Sequence, residues 1–274
     1  MLGDQKMISE NEIKKVINWL NCRLVDSKQN GFVIGISGGI DSAVVSALCA
    51  ETDKSTMVIS LPIHQCQTQI DQASDHVTWL LERYSNVVSY YLDLTEAFES
   101  LKDSIRLCLN YDLVLANMRS RLRMTTLYAY ANSFGCLVVG TGNKIEDFGI
   151  GFFTKYGDGG VDISPIGDFM KSEVYDIARY FEIIPSIQQA KPTDGLWGDN
   201  RTDEDQIGDT YVNLEKAMLF CEKLKIETVQ HYEELKKLGF IELVDVEEKT
   251  LYNYLKRHEN NLHKMVMPLI CNYN

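Results

Sequence analysis

The sequence predicts an α/β protein: a parallel twisted sheet flanked by helices, followed by a helical C-terminal extension. Three observations lead there. Short apolar runs of strand length alternate with stretches of helical periodicity, the pattern of right-handed βαβ crossovers. A glycine-rich turn joins the first strand to the first buried helix, as in nucleotide-binding sheets. The chain has 274 residues, 45% of them hydrophobic and 24% charged, enough for one sizeable core.

Taken in order, Ser9 with Glu12 three residues on forms a capping box, and Ile13, Val16, Ile17 and Leu20 give the helix behind it an apolar stripe. Phe32 to Ile36 reads as a buried strand and Ala43 to Ala50 as a helix. Met57 to Leu61 is the second strand, Gln69 to Tyr84 a helix, and Val87 to Leu92 the third strand. A long helical region runs to Asn132, and Cys136 to Gly140 is the fourth strand. Gly149 to Ile166 and Lys191 to Asp209 are aperiodic, and loops of that length are usually lids or disordered. Helical periodicity returns after Tyr211 through Leu214, Ala217, Met218 and Cys221. Ligands on such a sheet sit at the carboxyl ends of its strands, so the turns after Ile36, Leu61 and Val139 are the ones to inspect.

Composition narrows the function. A net charge of -12 argues against a nucleic-acid-coating protein, which needs clustered Lys and Arg. Seven cysteines without a C-x-x-C pair indicate neither a disulfide framework nor a zinc ribbon, and fit a reducing cytoplasm. The start lacks a basic and then apolar leader, and no apolar run reaches the length of a membrane span. A second catalytic domain, such as a glutamine-hydrolysing one, would need several hundred residues more, so the expectation is a single domain over residues 1–274 with no glutaminase part.

Gly35-Ile36-Ser37-Gly38-Gly39-Ile40-Asp41-Ser42 follows a strand and opens a helix, so backbone N–H groups and the helix dipole converge where a phosphate can sit. It has neither the lysine of a Walker A loop nor the G-x-G-x-x-G of dinucleotide folds. On these residues alone a plain strand-to-helix turn capped by Ser37 or Asp41 remains an alternative. As a unit, Ser-Gly-Gly-x-Asp-Ser resembles the pyrophosphate loop of the ATP pyrophosphatase superfamily, in which the loop holds ATP phosphates and the aspartate takes magnesium.

Other segments select within that superfamily. Asn117 to Met124, Gly140 to Glu146 and Gly151 to Asp162 look like NAD synthetase motifs in that family's order, and the likeness runs on through Pro165, Lys171 and Lys191 to Asp194 to His263-Lys264. The resemblance covers nearly the whole chain after Gly31, and the Phe-Thr-Lys-Tyr-Gly-Asp-Gly-Gly run is highly specific. It implies an adenine nucleotide alpha hydrolase-like, Rossmann-like fold. The implied activity is that of a carbon–nitrogen ligase of the last step of NAD biosynthesis: ATP- and ammonia-dependent amidation of deamido-NAD through an acyl-adenylate, releasing AMP and pyrophosphate. It further implies Mg2+, ATP as co-substrate, a homodimer and a cytoplasmic location. Weaker alternatives are another enzyme of the superfamily, either an amidotransferase synthetase subunit or a tRNA-modifying enzyme, and a catalytically silent nucleotide-binding module.

Residue by residue, the resemblance gives Gly35 to Ser42, Thr141, Lys171 and Thr193 to ATP, and Asp41 and Glu146 to magnesium. Asp41, Glu146 and Lys171 form the catalytic set. Arg121, Lys155, Asp162, His263 and Lys264 match positions that contact deamido-NAD. Helical spacing puts Arg119 and Arg123 on one face and Arg121 roughly opposite, and leaves Arg119 and Arg123 open to reading as a solvated charged face. Asp158 is a further candidate, although its Gly-Asp-Gly-Gly setting also suits a turn. Asp147-Phe148-Gly149 imitates a kinase triplet without the rest of a kinase's signature and is set aside. After Leu61-Pro62 the match weakens, which leaves adenine contacts there undefined.

Overall fold

The computed structural model describes residues 8–105, 112–193, 195–197, 201–243 and 245–271. Asp194, which ends one of the quoted motifs, and Cys108, one of the seven cysteines, lie outside the described residues.

Four parallel strands form the sheet: β1 (Gly31–Gly35), β2 (Ser55–Ser60), β3 (Val87–Tyr91) and β4 (Cys136–Val138), in the spatial order β3-β2-β1-β4. Val33 of β1 is paired with Met57 of β2 on one side and Val138 of β4 on the other. The chain therefore steps outward from β1 to β2 and β3, then returns to the opposite flank for β4. That reversal opens a crevice between the carboxyl ends of β1 and β4, where open α/β sheets bind ligands. A single bridge between Val139 and Ile163 extends this edge into the glycine-rich segment.

Helix α1 (Glu10–Ser27) precedes the sheet, and the crossover helices are α2 (Ile40–Ala50), α3 (Gln67–Arg83), α4 (Thr95–Ile105) and α5 (Asp112–Phe134). The expected capping box closes α1, with the Ser9 amide donating to Glu12 Oε2 at 2.8 Å. After Asp41, α2 is buried on every side, because it lies between the sheet and the helices α1 and α6 (Lys171–Tyr180). Its run Ala43-Val44-Val45 through Ala50 is apolar around the helix save for Ser46, as a fully enclosed helix requires. On the other sheet face Val33, Ile59 and Val138 pack with Phe98 of α4 and Ala131 of α5.

The C-terminal part is helical as expected after Tyr211, with α9 (Tyr211–Leu224), α10 (Val229–Lys237) and α11 (Glu248–Asn261), and it is preceded by two short helices not expected, α7 (Pro185–Gln188) and α8 (Asp203–Ile207), the latter inside the stretch read as aperiodic. It has its own core of Leu214, Met218, Tyr232, Leu251 and Leu255. That core reaches the sheet through a π-helical turn, Lys144–Ile150, which packs on α9 and α11. Wide π turns are rare and recur at functional sites. Periodicity did not reveal this one.

Candidate active site

Glycine makes the phosphate loop. Gly38 has φ +85, and a Cβ there would lie 2.8 Å from the Gln69 carbonyl oxygen, so α3 closes over the loop only because residue 38 has no side chain. Ser42 Oγ donates to the Gly39 carbonyl at 3.0 Å and lies 3.1 Å from Ser37 Oγ, folding the loop on itself. Gly39 is the N-cap of α2 and supplies no side-chain cap. The first-turn amides of the helix thus face the crevice for an anion to use.

A cavity of about 510 Å³ opens at this edge. Gly35 to Ser42, Thr141, Glu146 and Thr193 all line it, so most of the ATP-site residues read from the sequence come together, while Lys171 lies buried behind the lining. Arg119 and Arg123 correct the reading of a solvated face. Arg123 Nε donates to the Leu61 carbonyl at 2.9 Å and its NH2 group to Gln65 Oε1 at 2.8 Å, pinning the turn after β2. Arg119 lies over the Phe98 ring at 4.8 Å and donates to the Leu196 carbonyl at 2.9 Å, tying the second long loop to α5. Helical spacing grouped these two correctly, but not their surroundings.

Lys171 lies at the centre of the charged group. It starts α6, is only 2% exposed, and donates to Asp41 Oδ2 at 2.6 Å and Glu146 Oε1 at 3.0 Å. Asn143, itself fully buried, donates to Asp41 Oδ1 at 3.1 Å and accepts from the Glu146 amide at 3.1 Å. Tyr211, first residue of α9, donates to Glu146 Oε1 at 2.6 Å and lies 3.2 Å from Asp203 Oδ2, and its ring lies 4.9 Å from the Lys171 ammonium. Burial raises the Asp41 carboxyl despite Lys171 beside it. Burial pushes Glu146 the same way, but Lys171 and the Tyr211 hydroxyl outweigh it and hold Glu146 low. Lys171 stays protonated, since its two carboxylates overcome the opposing effect of burial.

Arg121, Lys155, Asp162, His263 and Lys264 do not line the cavity. Lys155 Nζ donates to the carbonyls of His263 and Val266, the latter at 3.1 Å, and Lys264 Nζ donates to the Phe153 carbonyl at 2.7 Å. These lysines cross-tie the C-terminal segment to the glycine-rich loop. Arg121 reaches the Lys155 carbonyl at 3.3 Å, and Asp162 accepts from the Val138 amide at 2.8 Å and the Tyr128 hydroxyl at 2.9 Å. Asp158 accepts from Ser120 Oγ at 2.6 Å and the Thr154 amide at 2.9 Å, the turn chemistry its glycines suggested, and it also lines the cavity.

Asp147, set aside with the kinase-like triplet, also lines the cavity. Its carboxylate occupies the space a side chain on Gly142 would take, since a Cβ there would be 2.0 Å from Asp147 Oδ2. Burial, with Asp158, Glu146 and Asp41 nearby, raises it well above the usual carboxylate range. Tyr211 and Asp203 were missed altogether: a tyrosine opening a helix and an aspartate beside a threonine cap look like ordinary helix starts. Asn143 had a local signal, since it precedes Glu146 by the three residues of an N-cap, and it caps the π turn.

The parallel sheet, the glycine loop at its switch point and the paired carboxylates beside that loop define a pyrophosphate-loop nucleotide enzyme. Comparison with known proteins gives the family. Its model, described as NAD synthase, matches residues 12–268, and the chain belongs to that family. It is 36% identical over 214 residues to the NH(3)-dependent NAD(+) synthetase of Carboxydothermus hydrogenoformans, covering 77% of this chain and 85% of that one. Identity to the NH(3)-dependent NAD(+) synthetase of Alkaliphilus metalliredigens is 35%, over 95% of this chain and 98% of the relative. Among solved structures, the NMN synthetase from Francisella tularensis superposes with a TM-score of 0.81 at 30% identity, covering 97% of this chain and all of that one.

Proposed function

We propose that this site joins ammonia to the nicotinate carboxyl of deamido-NAD at the expense of ATP, giving NAD, AMP and pyrophosphate. Family membership over residues 12–268 is the observation that carries the reading, with the ATP-site residues gathered around one cavity in support. A carboxylate resists amine attack because it is anionic and lacks a good leaving group, and adenylation removes both obstacles. The loop from Ser37 to Ser42 and the first turn of α2 bind phosphate oxygens, and Thr141 and Thr193 border the nucleotide. Lys171 supplies the positive charge that stabilises pyrophosphate as it leaves.

Magnesium belongs to this reading, and the donor set suits it. Asp41 and Glu146 converge on one cation, the Lys171 ammonium, within 3.0 Å. Two carboxylates with the remaining positions left to phosphate and water is a usual magnesium arrangement. When bound, the ion neutralises phosphate charge. Arg121, Lys155, Asp162, His263 and Lys264 are the deamido-NAD residues of the proposal; all but Asp162 meet where the glycine-rich loop joins the C-terminal segment, and Asp162 is held at the end of β4.

Residues 12–268 act as a ligase domain using ammonia, in a reducing cytoplasm. The free Cys22, Cys49, Cys66, Cys136, Cys221 and Cys271 support that compartment. Among the described residues no helix is long and apolar enough to cross a membrane. A homodimer is part of the same proposal. Val88 and Tyr91 of the edge strand β3 and Leu113 and Phe134 of α5 are exposed, and β3 and α5 touch through Tyr90 and Tyr130 at 5.1 Å. Such apolar exposure suits a partner surface.

The likeness to an NMN synthetase supports one second reading, in which the acceptor is the deamido mononucleotide. The test of both is purified protein with ATP, magnesium, ammonia and either acceptor, followed for AMP and amidated product. Product from deamido-NAD at the higher kcat/KM supports the first reading, and a preference for the mononucleotide replaces it with the second. ATP binding without AMP release in either mixture would refute both.

A further inference from the structure

Asn143 sits behind the charged group. It is 0% exposed and does not line the cavity, so it meets neither bulk water nor the nucleotide space. Burying an amide is costly unless both its ends are bonded, and here both are. Nδ2 donates to Asp41 Oδ1 at 3.1 Å, across 102 residues of sequence, and Oδ1 accepts from the Glu146 amide at 3.1 Å. These partners leave one orientation for the amide, because an ionised carboxylate cannot donate and a backbone N–H cannot accept. One side chain thus joins the turn after β1 to the turn after β4, and the two residues it joins are the carboxylates of the proposed cation site.

The bond selects an oxygen on Asp41. Oδ1 is committed to Asn143, and Oδ2 faces the shared cation, here the Lys171 ammonium at 2.6 Å. Glu146 presents Oε1 to the same ammonium at 3.0 Å, from the first turn of the π helix that Asn143 caps. The backbone around Asn143 has supports of its own. The Lys144 amide donates to the Phe169 carbonyl at 2.9 Å, two residues before Lys171, and the Asp147 amide donates to the Asn143 carbonyl at 3.0 Å. A serine at this position would still cap the turn. Aspartate would cap it too, but it has no donor and would set a third carboxylate against Asp41. What the asparagine adds to a cap is a donor long enough to reach Asp41.

We propose that Asn143 is a positioning residue of the cation site: by holding Asp41 Oδ1 and the Glu146 amide together, it sets Asp41 Oδ2 and Glu146 Oε1 at the spacing that receives one divalent ion. It acts through Asp41 and not on the nucleotide. Partners of this kind, behind a metal's own ligands, set ligand orientation and affinity. The proposal rests on the magnesium reading above.

The test is the Kd of ATP by calorimetry, in chelator and in Mg2+, with no ammonia or acceptor present and so no turnover. The ratio of the two constants reports what the ion adds. Asn143→Ser keeps the cap and removes the amide donor. The expected result is unchanged ATP affinity in chelator, with the tightening by Mg2+ reduced roughly tenfold. Asp41→Asn also reduces the tightening, and adding Asn143→Ser reduces it no further, because Asn143 works through that carboxylate. A wild-type ratio in Asn143→Ser, including equal weakening in both media as a purely structural role would give, overturns the proposal. Losses that multiply in the double variant overturn it as well. If Asn143→Ser does not fold, Asn143→Thr is read in its place, and failure of both to fold overturns the proposal by making the donor a requirement of the fold. Wild-type ATP binding that is the same in chelator and in Mg2+ overturns the magnesium reading itself, a result distinct from any of these.

Discussion

Replacing Lys171 by methionine removes one ammonium from between two carboxylates while keeping a stem of similar length. In the wild type that ammonium is 2.6 Å from Asp41 and 3.0 Å from Glu146, its side chain only 3% exposed. Removing one partner of such a buried pair costs about 3–5 kcal/mol, because the remaining charges lose their compensation in a poorly solvated place. Here two carboxylates are left, and protonation of Asp41, already raised by burial, offsets part of the loss. For a chain of this size about 3–5 kcal/mol corresponds to a melting temperature lower by roughly 6–20 °C. Thermal melts in chelator measure it. The same variant opens the cation site, so Mg2+ meets no resident ammonium, and saturation at about a hundred times its Kd returns about 2.7 kcal/mol. The wild type gains less, because the ion must first displace Lys171. The reasoning is refuted if Lys171→Met melts with the wild type in chelator, or if Mg2+ raises both melting temperatures equally.

Asp41→Asn and Glu146→Gln each lose roughly ten- to a hundredfold in turnover, followed by pyrophosphate release; normal rates with normal Mg2+ dependence would exclude them as metal ligands. Gly38→Ala is destabilised by about 1–3 kcal/mol through its left-handed backbone, with a methyl 2.8 Å from the Gln69 carbonyl adding to the strain; Gly39→Ala, at φ -88, is the milder control by denaturant titration. His76 is fully buried, with Nε2 2.9 Å from Ser46 Oγ, and burial lowers its pKa to about 4. The unfolded chain takes up that proton near pH 6.5 and the folded one only near 4, so stability present above pH 6.5 is lost as the pH falls through this window, by about 3 kcal/mol in all. His76→Gln should remove that slope, and stability curves for variant and wild type that run parallel from pH 7 to pH 4 would contradict it.

The order of strands and helices was legible because strand-length apolar runs and helical stripes are local signals. The run from Gly35 to Ser42 was legible for a similar reason: a phosphate loop is one contiguous turn whose glycines are visible in the chain. Thr141 and Glu146 followed from strand ends, since a parallel sheet brings its carboxyl-end turns together whatever lies between them in sequence. What periodicity could not supply is the side chain's neighbourhood. Arg119 and Arg123 were grouped correctly on one face of α5, yet the loops they hold are 77 and 62 residues away in sequence. Tyr211 is 65 residues from Glu146, and their contact depends on how the C-terminal core docks on the π turn, which no local pattern encodes. Lys171 was expected to face the phosphates. In the structure it bridges the Asp41 and Glu146 carboxylates, because a buried ammonium needs counter-charges.

The charges around the cavity explain why that bridge matters. Asp41, Glu146, Asp147, Asp158 and Asp203 line it, against Arg123 and Lys191 among the described cations. Arg123 already spends its guanidinium on the Leu61 carbonyl and Gln65. An ATP polyanion entering this field is opposed both locally and by the net charge of -12. Backbone amides of the loop and the α2 dipole offset part of that opposition, but a dipole end is equivalent to only about half a charge. In the proposed magnesium reading the rest would come with the nucleotide as a divalent ion and from Lys171 released by that ion. In that reading cation arrival and lysine release would be one event, which accounts for a lysine held between Asp41 and Glu146.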